Sequence, residues 1–556
     1  MGPALTAGAR FRRHISVLVA VPGLVFADFL ARGRAILPGD GFIYYLPLHL
    51  LAAKAWRAGH LPVWNAFAFA GSPLLAVGQA GAFYPPNVLF ALLPMIAANN
   101  LVVVANFVVA GIGAFLLARR LTGDDDAALV GGLAFSLSGF MFGHVAHQGI
   151  DATVSWLPWT IYAFELLRER VTPRRIGLGG GVVALSVLAG HSQMFVFGIL
   201  VVGLYAGFLM AFDWRAQRTR PLLPVVLMVV VGMGLAAVQL LPTLSILPVT
   251  ARGSSLSFAA ATSFSFPASH LPLLAFPYLF GNAAPSGPFS ALYRGAWSLT
   301  ELNGYPGLAA LTLAAAGLAA ARRDRRVLAL AATGVTGLLM AMGGSTPLGR
   351  FVYAVPVFGR FRSWGRYTLA LDLGVSMLAA YGVVVLRSAA GPVRRAALRR
   401  AAAVPFAAAV LAGVVYTAGP WRGLVAHGWS GLLAVLFPLA AAGGGVGCCV
   451  LLARRTRAAT AVTVAVVALD AVVCFGAFFE WRGASPPTAT VEAAFSSKAP
   501  PIFGPVTDAP GGVDRYLFAG GDLAAIPEQS PITDVKGVSS VNGSEPLSPR
   551  DYLGAL

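Results

Sequence analysis

The sequence predicts an all-α polytopic membrane protein, and three observations predict it. Hydrophobic residues make up 57% of the chain, charged residues only 11%, and the mean hydropathy is +0.74. Soluble domains carry about 25% charged residues. Apolar runs of about 20 residues, the length of a membrane-crossing helix, recur along all 556 residues. We therefore expect a bundle of transmembrane helices.

Hydropathy predicts about thirteen such helices. They lie at 14–33, 96–118, 127–145, 152–167, 176–192, 194–212, 222–243, 303–321, 327–343, 366–386, 401–418, 429–453 and 458–479. The first resembles a signal peptide, but because many spans follow it we interpret it as an uncleaved helix. The fifth and sixth form a tight pair that turns between Gly190 and Gln193.

The placement of the charges predicts which end of each helix faces the cytoplasm. The net charge is +18, and the arginines cluster in every second loop between the predicted spans. This is the pattern of topology determinants, with the N-terminus inside and the C-terminus outside, rather than of a nucleic-acid-binding protein. The excess of Arg over Lys, with many Ala and Gly residues, suggests a bacterial source. We therefore expect a multi-pass protein of a bacterial cytoplasmic membrane, with no nucleic-acid partner.

This topology divides the chain into a membrane domain, 1–479, and an extracytoplasmic C-terminal tail, 480–556. The large loops 34–95, 244–302 and 344–365 lie outside. The first loop is predicted to contain an amphipathic helix, Phe42–Arg57, at the membrane surface with Lys54 and Arg57 towards the headgroups. No nucleotide-binding segment is found on the cytoplasmic side, so we expect external chemistry that is not driven by ATP. The three cysteines all fall in predicted spans and predict neither a disulfide framework nor a zinc site.

One carboxylate stands out in the first external loop. Asp40 lies just beyond the first span, between Gly39 and Gly41, where a tight turn can direct it at the membrane surface. A carboxylate in this position can act as a general base or bind a divalent cation such as Mg²⁺ or Mn²⁺. The alternative is a cap for the helix that follows.

Two further groups of polar residues are predicted outside. His144, His147 and Asp151 have spacings of three and four, which place them on one helical face as a metal or phosphate site, or as ordinary interfacial polar residues. Glu301 is the other external acid before the tail.

Three arginines, Arg360, Arg362 and Arg366, stand beside aromatic residues in an external loop. Arginines among aromatics suit a lipid phosphate or pyrophosphate. Ordinary headgroup anchoring is the alternative.

Four acids fall at membrane depth: Asp28, Glu165, Asp372 and Asp470. Such residues are costly and often functional, so they support a transporter, with Asp372 and Asp470 as coupling groups. Pairing inside the bundle is the alternative. A transporter also predicts inverted repeats, and the sequence contains no convincing internal repeat.

A set of short motifs carries a family resemblance. In the first loop these are Asp40, Tyr44, Tyr45, Pro47, Gly59-His60-Leu61-Pro62, Trp64-Asn65, Gly71-Ser72-Pro73, Gln79 and Phe83-Tyr84-Pro85-Pro86-Asn87. Later motifs are Ser138-Gly139-Phe140, Trp156-Leu157-Pro158-Trp159, Gly190-His191-Ser192-Gln193, Leu241-Pro242, Gly304-Tyr305-Pro306-Gly307, Pro356, Phe358 and Phe361-Arg362. With these motifs the chain resembles the YfhO family of bacterial membrane proteins.

The resemblance implies a GT-C-like glycosyltransferase, an integral-membrane enzyme that uses polyprenyl-phosphate-linked sugars outside the cytoplasmic membrane. The catalytic Asp of such enzymes lies in the first external loop, and the matching position is Asp40. The resemblance also implies a cell-envelope polymer or glycolipid as the acceptor. Asp151 and Glu301 are the candidates for a second catalytic acid.

The hypothesis is therefore a glycosyltransferase that moves a sugar from a polyprenyl-phosphate donor to an envelope acceptor. Asp40 acts as the base, alone or with a divalent cation held by Asp40, His144 and His147, and no other cofactor is expected. The donor is held by Arg360, Arg362, Arg366, Tyr44, Tyr45, Trp64 and Tyr84. The alternatives are a transporter or flippase of lipid-linked sugars and a non-catalytic scaffold for envelope assembly.

Overall fold

The computed structural model describes residues 7–476, except 66–70, 213–221, 251–252, 283–290, 292, 298, 322 and 457, together with 488–489, 491, 515–516 and 539–540. Within this part almost every regular element is a helix. The exception is a pair of two-residue strands, Arg515–Tyr516 and Ser539–Ser540, which pair in parallel. The predicted all-α class is confirmed.

A helix or a pair of helices occupies each predicted span. Their bounds are Ala7–Val25 with Ala27–Arg32, Met95–Thr122, Asp125–Ser136 with Gly139–Gly143, Leu157–Glu169, Pro173–Leu188, Ser192–Phe212, Leu222–Leu235 with Ala237–Ile246, Leu308–Gly317, Arg325–Ala341, Thr368–Ser388, Gly391–Thr417, Gly428–Ala453 and Ala459–Gly476. By length and composition, six helices of the described part can cross a membrane, or seven if the pair around Ala236, bent by 82°, is one span. The chain is a multi-pass membrane protein, and the count of thirteen stays a prediction.

Shorter elements connect these helices. The short α-helices are Leu46–Arg57, Leu74–Val77, Leu89–Leu92, Gln148–Val154, Phe258–Ala261 and Pro347–Ala354, and Gly41–Tyr45 is a π-helical turn. Single 3-10 turns lie at Pro85–Val88, Leu247–Val249, Ala268–Leu274, Leu318–Ala320, Gly343–Ser345, Phe358–Arg360, Trp364–Tyr367 and Gly419–Trp421. Most of these elements lie in the large loops that the sequence predicts to be external.

Aspartates cap the first turn of two helices at one end of the bundle. The Asp124 carboxylate accepts the amide of Ala127 at 2.9 Å and caps the helix Asp125–Ser136. The Asp324 carboxylate accepts the amide of Arg326 at 2.9 Å in the same way. Such caps satisfy backbone donors that a helix start leaves unpaired.

We call this end of the bundle the basic end, because the arginine-rich turns meet there. Arg387 lies 3.1 Å from Asp126 and 3.4 Å from Asp124, and His14 reaches Asp126 from the first helix at 3.0 Å. Further ion pairs there join Arg119 to Asp125, Arg120 to Glu169, Arg175 to Glu169 and Arg326 to Asp324. The turns that the positive-inside pattern assigns to one side are therefore together in space.

We call the opposite end the loop end. It holds Asp40, His144, Asp151, Glu301 and Arg366, and there the first loop packs on the bundle. The predicted helix of this loop is present as the turn Gly41–Tyr45 followed by Leu46–Arg57, and seven of the latter's 12 residues are buried. Arg57 is not directed at headgroups, because its guanidinium donates to the carbonyls of Phe90 and Ala91 at 2.8 and 2.9 Å.

A second part of the first loop, the helix Leu74–Val77, is fixed by the helix Ala237–Ile246, which follows the bend at Ala236. Gln239 donates to the carbonyl of Leu75 at 2.6 Å, and Thr243 donates to the carbonyl of Ala76 at 2.8 Å. Gly190 lies in the turn between the fifth and sixth predicted spans, and a Cβ there would come 2.3 Å from the carbonyl oxygen of Gly78. Only glycine permits this close approach.

Two of the acids at membrane depth cap the helices of other segments. A carboxylate oxygen of Asp372 accepts the amide of Phe140 at 3.2 Å. Asp470 accepts the hydroxyl of Tyr305 at 2.7 Å and the amide of Ala309 at 2.9 Å. These bonds satisfy backbone amides at breaks between helices inside the bundle, where an unpaired amide would be costly.

The other two acids at membrane depth are paired with arginines. Asp28 lies 2.8 Å from Arg32 and 3.2 Å from Arg34. Glu165 accepts two bonds from Arg168, the shorter at 2.8 Å. All four acids therefore have at least one partner, although Oδ1 of Asp372 has no hydrogen-bond partner in the described part of the chain.

Most of the predicted tail, 480–556, lies outside the described residues. The described residues Thr488 and Val491 contact the first loop. The Thr488 hydroxyl donates to the carbonyl of Gly33 at 3.2 Å, and the fully buried Val491 packs in a cluster with Leu37 and Phe90. The tail therefore helps to hold the segment that leads to Asp40.

Candidate functional site

The segment that precedes Asp40 is fixed by two adjacent asparagines of the helix Met95–Thr122. Asn100 accepts the amide of Ile36 at 2.9 Å and donates to the carbonyl of Arg34 at 2.7 Å. Asn99 donates to the carbonyl of Ile36 at 3.0 Å. Both amide side chains are buried, so the chain leaves the first helix along one defined path and delivers Asp40 to the loop end.

Asp40 opens the π-helical turn Gly41–Tyr45 but its side chain makes no capping hydrogen bond. One of its carboxylate oxygens instead lies 3.4 Å from Nε2 of His147, and 50% of the side chain is exposed. Burial by itself raises the pKa of Asp40, but the hydrogen bond and charge of His147, with Arg366 beyond, outweigh it and hold that pKa below its ordinary value. Asp40 is thus an ionised, accessible carboxylate.

Beneath Asp40 lies a buried ion pair. Arg366 forms two parallel bonds to Glu301, from Nε to Oε2 at 2.8 Å and from Nη2 to Oε1 at 2.5 Å. The exposed fractions of these side chains are 11% and 9%. Burial opposes ionisation of Glu301, but the charge and hydrogen bonds of Arg366 hold the pKa of Glu301 well below its ordinary value. The bidentate geometry fixes the Arg366 guanidinium in the site.

His144 is held in one orientation next to this pair. Its Nδ1 bonds to the carbonyl oxygen of Phe140 at 2.9 Å, so Nδ1 carries the hydrogen. Its Nε2 faces Glu301 at 4.0 Å, which is too long for a hydrogen bond. Burial lowers the pKa of His144. The neutral ring therefore directs an acceptor nitrogen towards the Glu301 carboxylate.

Asp151 lies in the short helix Gln148–Val154 and is 3% exposed. Its Oδ1 has no hydrogen-bond partner in the described part of the chain, and burial raises its pKa well above the ordinary value. Tyr45 is buried beside it, with its ring 3.0 Å from the place where a Cβ of Gly149 would lie. The pKa values of Asp151 and Glu301 are thus shifted in opposite directions, and the two acids also differ in their partners.

Of the predicted aromatic residues, Trp64 alone presents a largely exposed ring, with an exposed fraction of 60%. Tyr44 and Tyr45 are buried and pack edge to face at 5.2 Å. The Tyr84 hydroxyl donates to Asn106 at 3.1 Å, and burial raises its pKa to about 12. These three tyrosines are therefore part of the buried packing of the first loop, and their rings are not exposed to a ligand.

The structure separates the three predicted arginines. Arg366 lies with the carboxylates. Arg362 is exposed, and its guanidinium lies 5.7 Å from the ring centre of Phe264. Arg360 is half-buried on the turn Phe358–Arg360. Sequence spacing alone did not distinguish these roles, because the short turns redirect successive side chains.

The predicted metal ligands are only partly assembled. In the described residues, no three His, Cys, Asp or Glu side chains form a group that could hold a metal ion. Asp40 and His147 offer two donors, whereas both nitrogens of His144 point elsewhere. Mg²⁺ is often held by one or two carboxylates together with substrate phosphate and water. Asp40 fits such a metal, and His144 does not.

Several buried polar atoms near Asp40 lack hydrogen-bond partners within the described part of the chain. They are Nδ1 of His147, Oε1 of Gln148, Oδ1 of Asp151 and both amide atoms of Asn303. Buried polar groups are nearly always paired, so this group marks a place for water or ligand. Gln148 and Asn303 were not predicted as site residues, and no spacing in the sequence distinguishes them from ordinary polar residues.

The fold has counterparts among solved structures. No family model and no curated protein matches the chain. It is similar to ArnT from Cupriavidus metallidurans in its crystal structure bound to undecaprenyl phosphate, with 13% sequence identity, a TM-score of 0.50 and coverage of 96% of this chain and 90% of that one. The chain has a GT-C-like fold.

Two other structures with the GT-C-like fold are similar at lower scores. ArnT from the same organism in the apo state has 14% identity and a TM-score of 0.48, over 87% of this chain and 78% of that one. The archaeal oligosaccharyltransferase AglB from Archaeoglobus fulgidus, in complex with an inhibitory peptide and a dolichol-phosphate, has 12% identity and a TM-score of 0.46. That match covers 96% of this chain and 64% of AglB.

Proposed function

We propose that the chain is an inverting membrane glycosyltransferase that moves a sugar from a polyprenyl-phosphate donor to a cell-envelope acceptor on the outer face of a bacterial cytoplasmic membrane. The donor class is suggested by the GT-C-like fold, which the chain shares with an ArnT structure bound to undecaprenyl phosphate. The resemblance of the first-loop motifs to the YfhO family supports the envelope acceptor.

The observation that carries the proposal is the state of Asp40. Its carboxylate is half exposed at the loop end and is kept ionised by His147 and Arg366. A general base must be ionised and must reach the proton that it removes. In the proposed reaction Asp40 takes the proton of the acceptor hydroxyl, whose oxygen attacks the sugar carbon as the bond to the lipid phosphate breaks.

Arg366 is the proposed ligand of the leaving lipid phosphate. A guanidinium has five N–H donors, and the ion pair with Glu301 uses two of them. The remaining donors are available to a phosphate, while Glu301 keeps the group in place. Positive charge close to the departing oxygen stabilises the charge that develops there.

A divalent cation is the proposed companion of Asp40, as Mg²⁺ or Mn²⁺. Asp40 and the lipid phosphate would hold it, and when bound it would neutralise the phosphate charge. We expect EDTA-treated membranes to lose transfer and Mg²⁺ or Mn²⁺ to restore it. Full transfer in EDTA would assign the phosphate to Arg366 without a metal.

The rival function is a transporter or flippase of lipid-linked sugars. It depends on Asp372 and Asp470 as coupling groups, yet both carboxylates accept backbone amides at helix starts. A coupling acid must change partners during transport, and these bonds favour a structural role. A non-catalytic scaffold would need neither the accessible Asp40 carboxylate nor the unpaired polar groups around it.

The deciding experiment compares Asp40→Asn with the wild type in membranes supplied with labelled undecaprenyl-phosphate sugars and envelope acceptors. Loss of the base should lower the transfer rate by about 10²–10⁴-fold. Asp124→Asn at the basic end is the matched control, and we expect it to retain transfer.

Undiminished transfer by Asp40→Asn, at comparable protein levels, would remove Asp40 from the catalytic role. If the wild type transferred no sugar from any donor but moved the labelled lipid across the membrane, the flippase would replace the proposal.

A further inference from the structure

A cluster of two aromatic rings and a guanidinium lies beside the site just described. The rings of Trp297 and Phe264 are 5.0 Å apart and tilted by 44°. The guanidinium of Arg362 lies over the ring of Phe264, 5.7 Å from its centre. We call these three residues the aromatic platform. Trp297 is 49% exposed, so the indole is open to a ligand.

The backbone at this platform is strained. Phe264 and Trp297 have φ angles of 56° and 60°, and Ser363, which follows Arg362, has a φ of 58°. The left-handed region is unfavourable for bulky side chains, and such residues concentrate at ligand sites and active sites. An aromatic residue that only anchors the protein at the membrane surface needs no such conformation.

Backbone bonds between two loops maintain this strain. The amide of Gly365 donates to the carbonyl of Phe264 at 3.1 Å, and the amide of Ser363 donates to the carbonyl of Ser263 at 3.0 Å. Gln193 also donates to the carbonyl of Arg362 at 2.5 Å. The loop segments that carry Phe264 and Arg362 are thus joined, so these two side chains are positioned before any ligand arrives.

The aromatic platform adjoins the ion pair of the site. A Cβ on Gly365 would lie 2.8 Å from the carbonyl oxygens of both Phe264 and Glu301. The next residue, Arg366, binds the Glu301 carboxylate. The segments that carry the platform and the ion pair therefore pack together at Gly365, which places a ligand on Trp297 near the proposed reaction centre.

We propose that the aromatic platform binds a saccharide ring, and this proposal rests on the proposed function. The flat indole face suits the C–H face of a pyranose, and a planar guanidinium donates hydrogen bonds to hydroxyl or acidic groups of a sugar. Arg362 therefore belongs to the saccharide site and not to the phosphate site. The saccharide can belong to the acceptor or to the donor, and kinetics distinguish these sources.

The test measures binding without turnover, so it stands even if transfer is never observed. Saturation-transfer NMR is recorded on the full purified chain in detergent with the methyl glycosides of glucose, galactose and N-acetylglucosamine. Wild type should transfer saturation to at least one glycoside. Trp297→Ala should reduce that signal at least about fivefold, and Trp297→Phe should retain part of it, because a ring remains.

The control is Trp429→Ala, which removes an indole that is 79% exposed at the start of another helix. It should leave the signal unchanged. No signal from any of the three glycosides in wild type, or equal losses in the two alanine variants, would overturn the saccharide platform and leave Trp297 as a membrane-surface anchor.

Where transfer is measurable, the same variants identify the source of the sugar. For a platform that holds the acceptor, Trp297→Ala raises the KM for the acceptor about fivefold or more and leaves the donor KM unchanged. For a platform that holds the donor sugar, Trp297→Ala raises the KM for the donor and leaves the acceptor KM unchanged. Unchanged KM values for both substrates would contradict the proposal.

Discussion

The two ends of the bundle use the same charged residue types in different ways. At the basic end, Arg387 faces Asp124 and Asp126 with side chains that are 32–37% exposed. At the loop end, Arg366 and Glu301 are 11% and 9% exposed and bind through two parallel bonds. Water screens the first set, whereas the second acts in a medium of lower effective dielectric constant. The two ends therefore differ in how exposed their ion pairs are, and not in the types of charged residue that they contain.

The ends also differ in how completely their polar groups are paired. Acids at the basic end meet an arginine, a histidine or a helix start. Around Asp40 the described residues include a buried acid with no partner, Asp151, and an amide with none, Asn303. Carboxylates that are already paired need no further partner, whereas the unpaired groups around Asp40 gain free energy when a ligand or water binds.

The largest expected effect is on the buried ion pair. Glu301→Gln leaves Arg366 charged and poorly paired, and it should cost about 3–5 kcal/mol of unfolding free energy, measured by SDS titration in mixed micelles. The double variant Glu301→Gln with Arg366→Met should recover much of this loss, because no buried charge remains. A loss below about 1 kcal/mol in the single variant would show that this pair contributes no more to stability than a solvent-exposed ion pair does.

The same variant changes the response to acid. The folded pKa of Glu301 lies below 4.5, so the pair stabilises the protein fully above that pH and loses its contribution as pH falls through the folded pKa. Stability curves from pH 7 downward should therefore be flatter in Glu301→Gln than in wild type.

A smaller loss is expected where the tail contacts the first loop. Val491→Ala removes two methyl groups from a fully buried site and should cost on the order of 2 kcal/mol. Transfer should fall with it, because the segment leading to Asp40 loosens, and Val491→Ile should retain both. Normal stability in Val491→Ala would show that the tail does not hold the loop end.

At the basic end the expected loss is smaller again. Arg387→Gln breaks ion pairs that are partly exposed, and it should cost no more than about 1 kcal/mol. Raising the salt concentration should weaken the wild-type contribution. A loss as large as that of Glu301→Gln would remove the distinction between the two ends.

The smallest effect should be a gain. Asp151→Asn removes an acid whose folded pKa is raised, so wild-type stability should fall as pH rises above 3.8 towards the folded pKa. The variant lacks this decline and should therefore be more stable than the wild type at neutral pH. A strong loss instead would mean that the Asp151 carboxylate is ionised and bound in the folded protein.

The sequence predicted the fold class because hydropathy and charge placement act locally. Runs of apolar residues require helices in a membrane, and the helix Leu46–Arg57 follows from its own pattern. The bent pair at Ala236 was not predicted, since its geometry depends on Gln239 and Thr243 reaching the distant residues Leu75 and Ala76.

The site could be predicted only in part. Asp40 stands alone in its segment, so its exposure near the bundle was expected. The partners Arg366 and Glu301 are 65 residues apart, and no local rule pairs them. Similarly, the rings of Trp297 and Phe264 meet through two strained loops, and strain of this kind depends on tertiary contacts.

The contact between the tail and the first loop has a consequence for biogenesis. A ribosome releases Asp40 to the membrane long before it has synthesised Thr488 and Val491, which complete the packing around Gly33 and Leu37. Every span of the bundle is therefore inserted while the first loop still lacks part of its support. A chain that stops before Val491 leaves the apolar side chains of Leu37 and Phe90 without one of their packing partners.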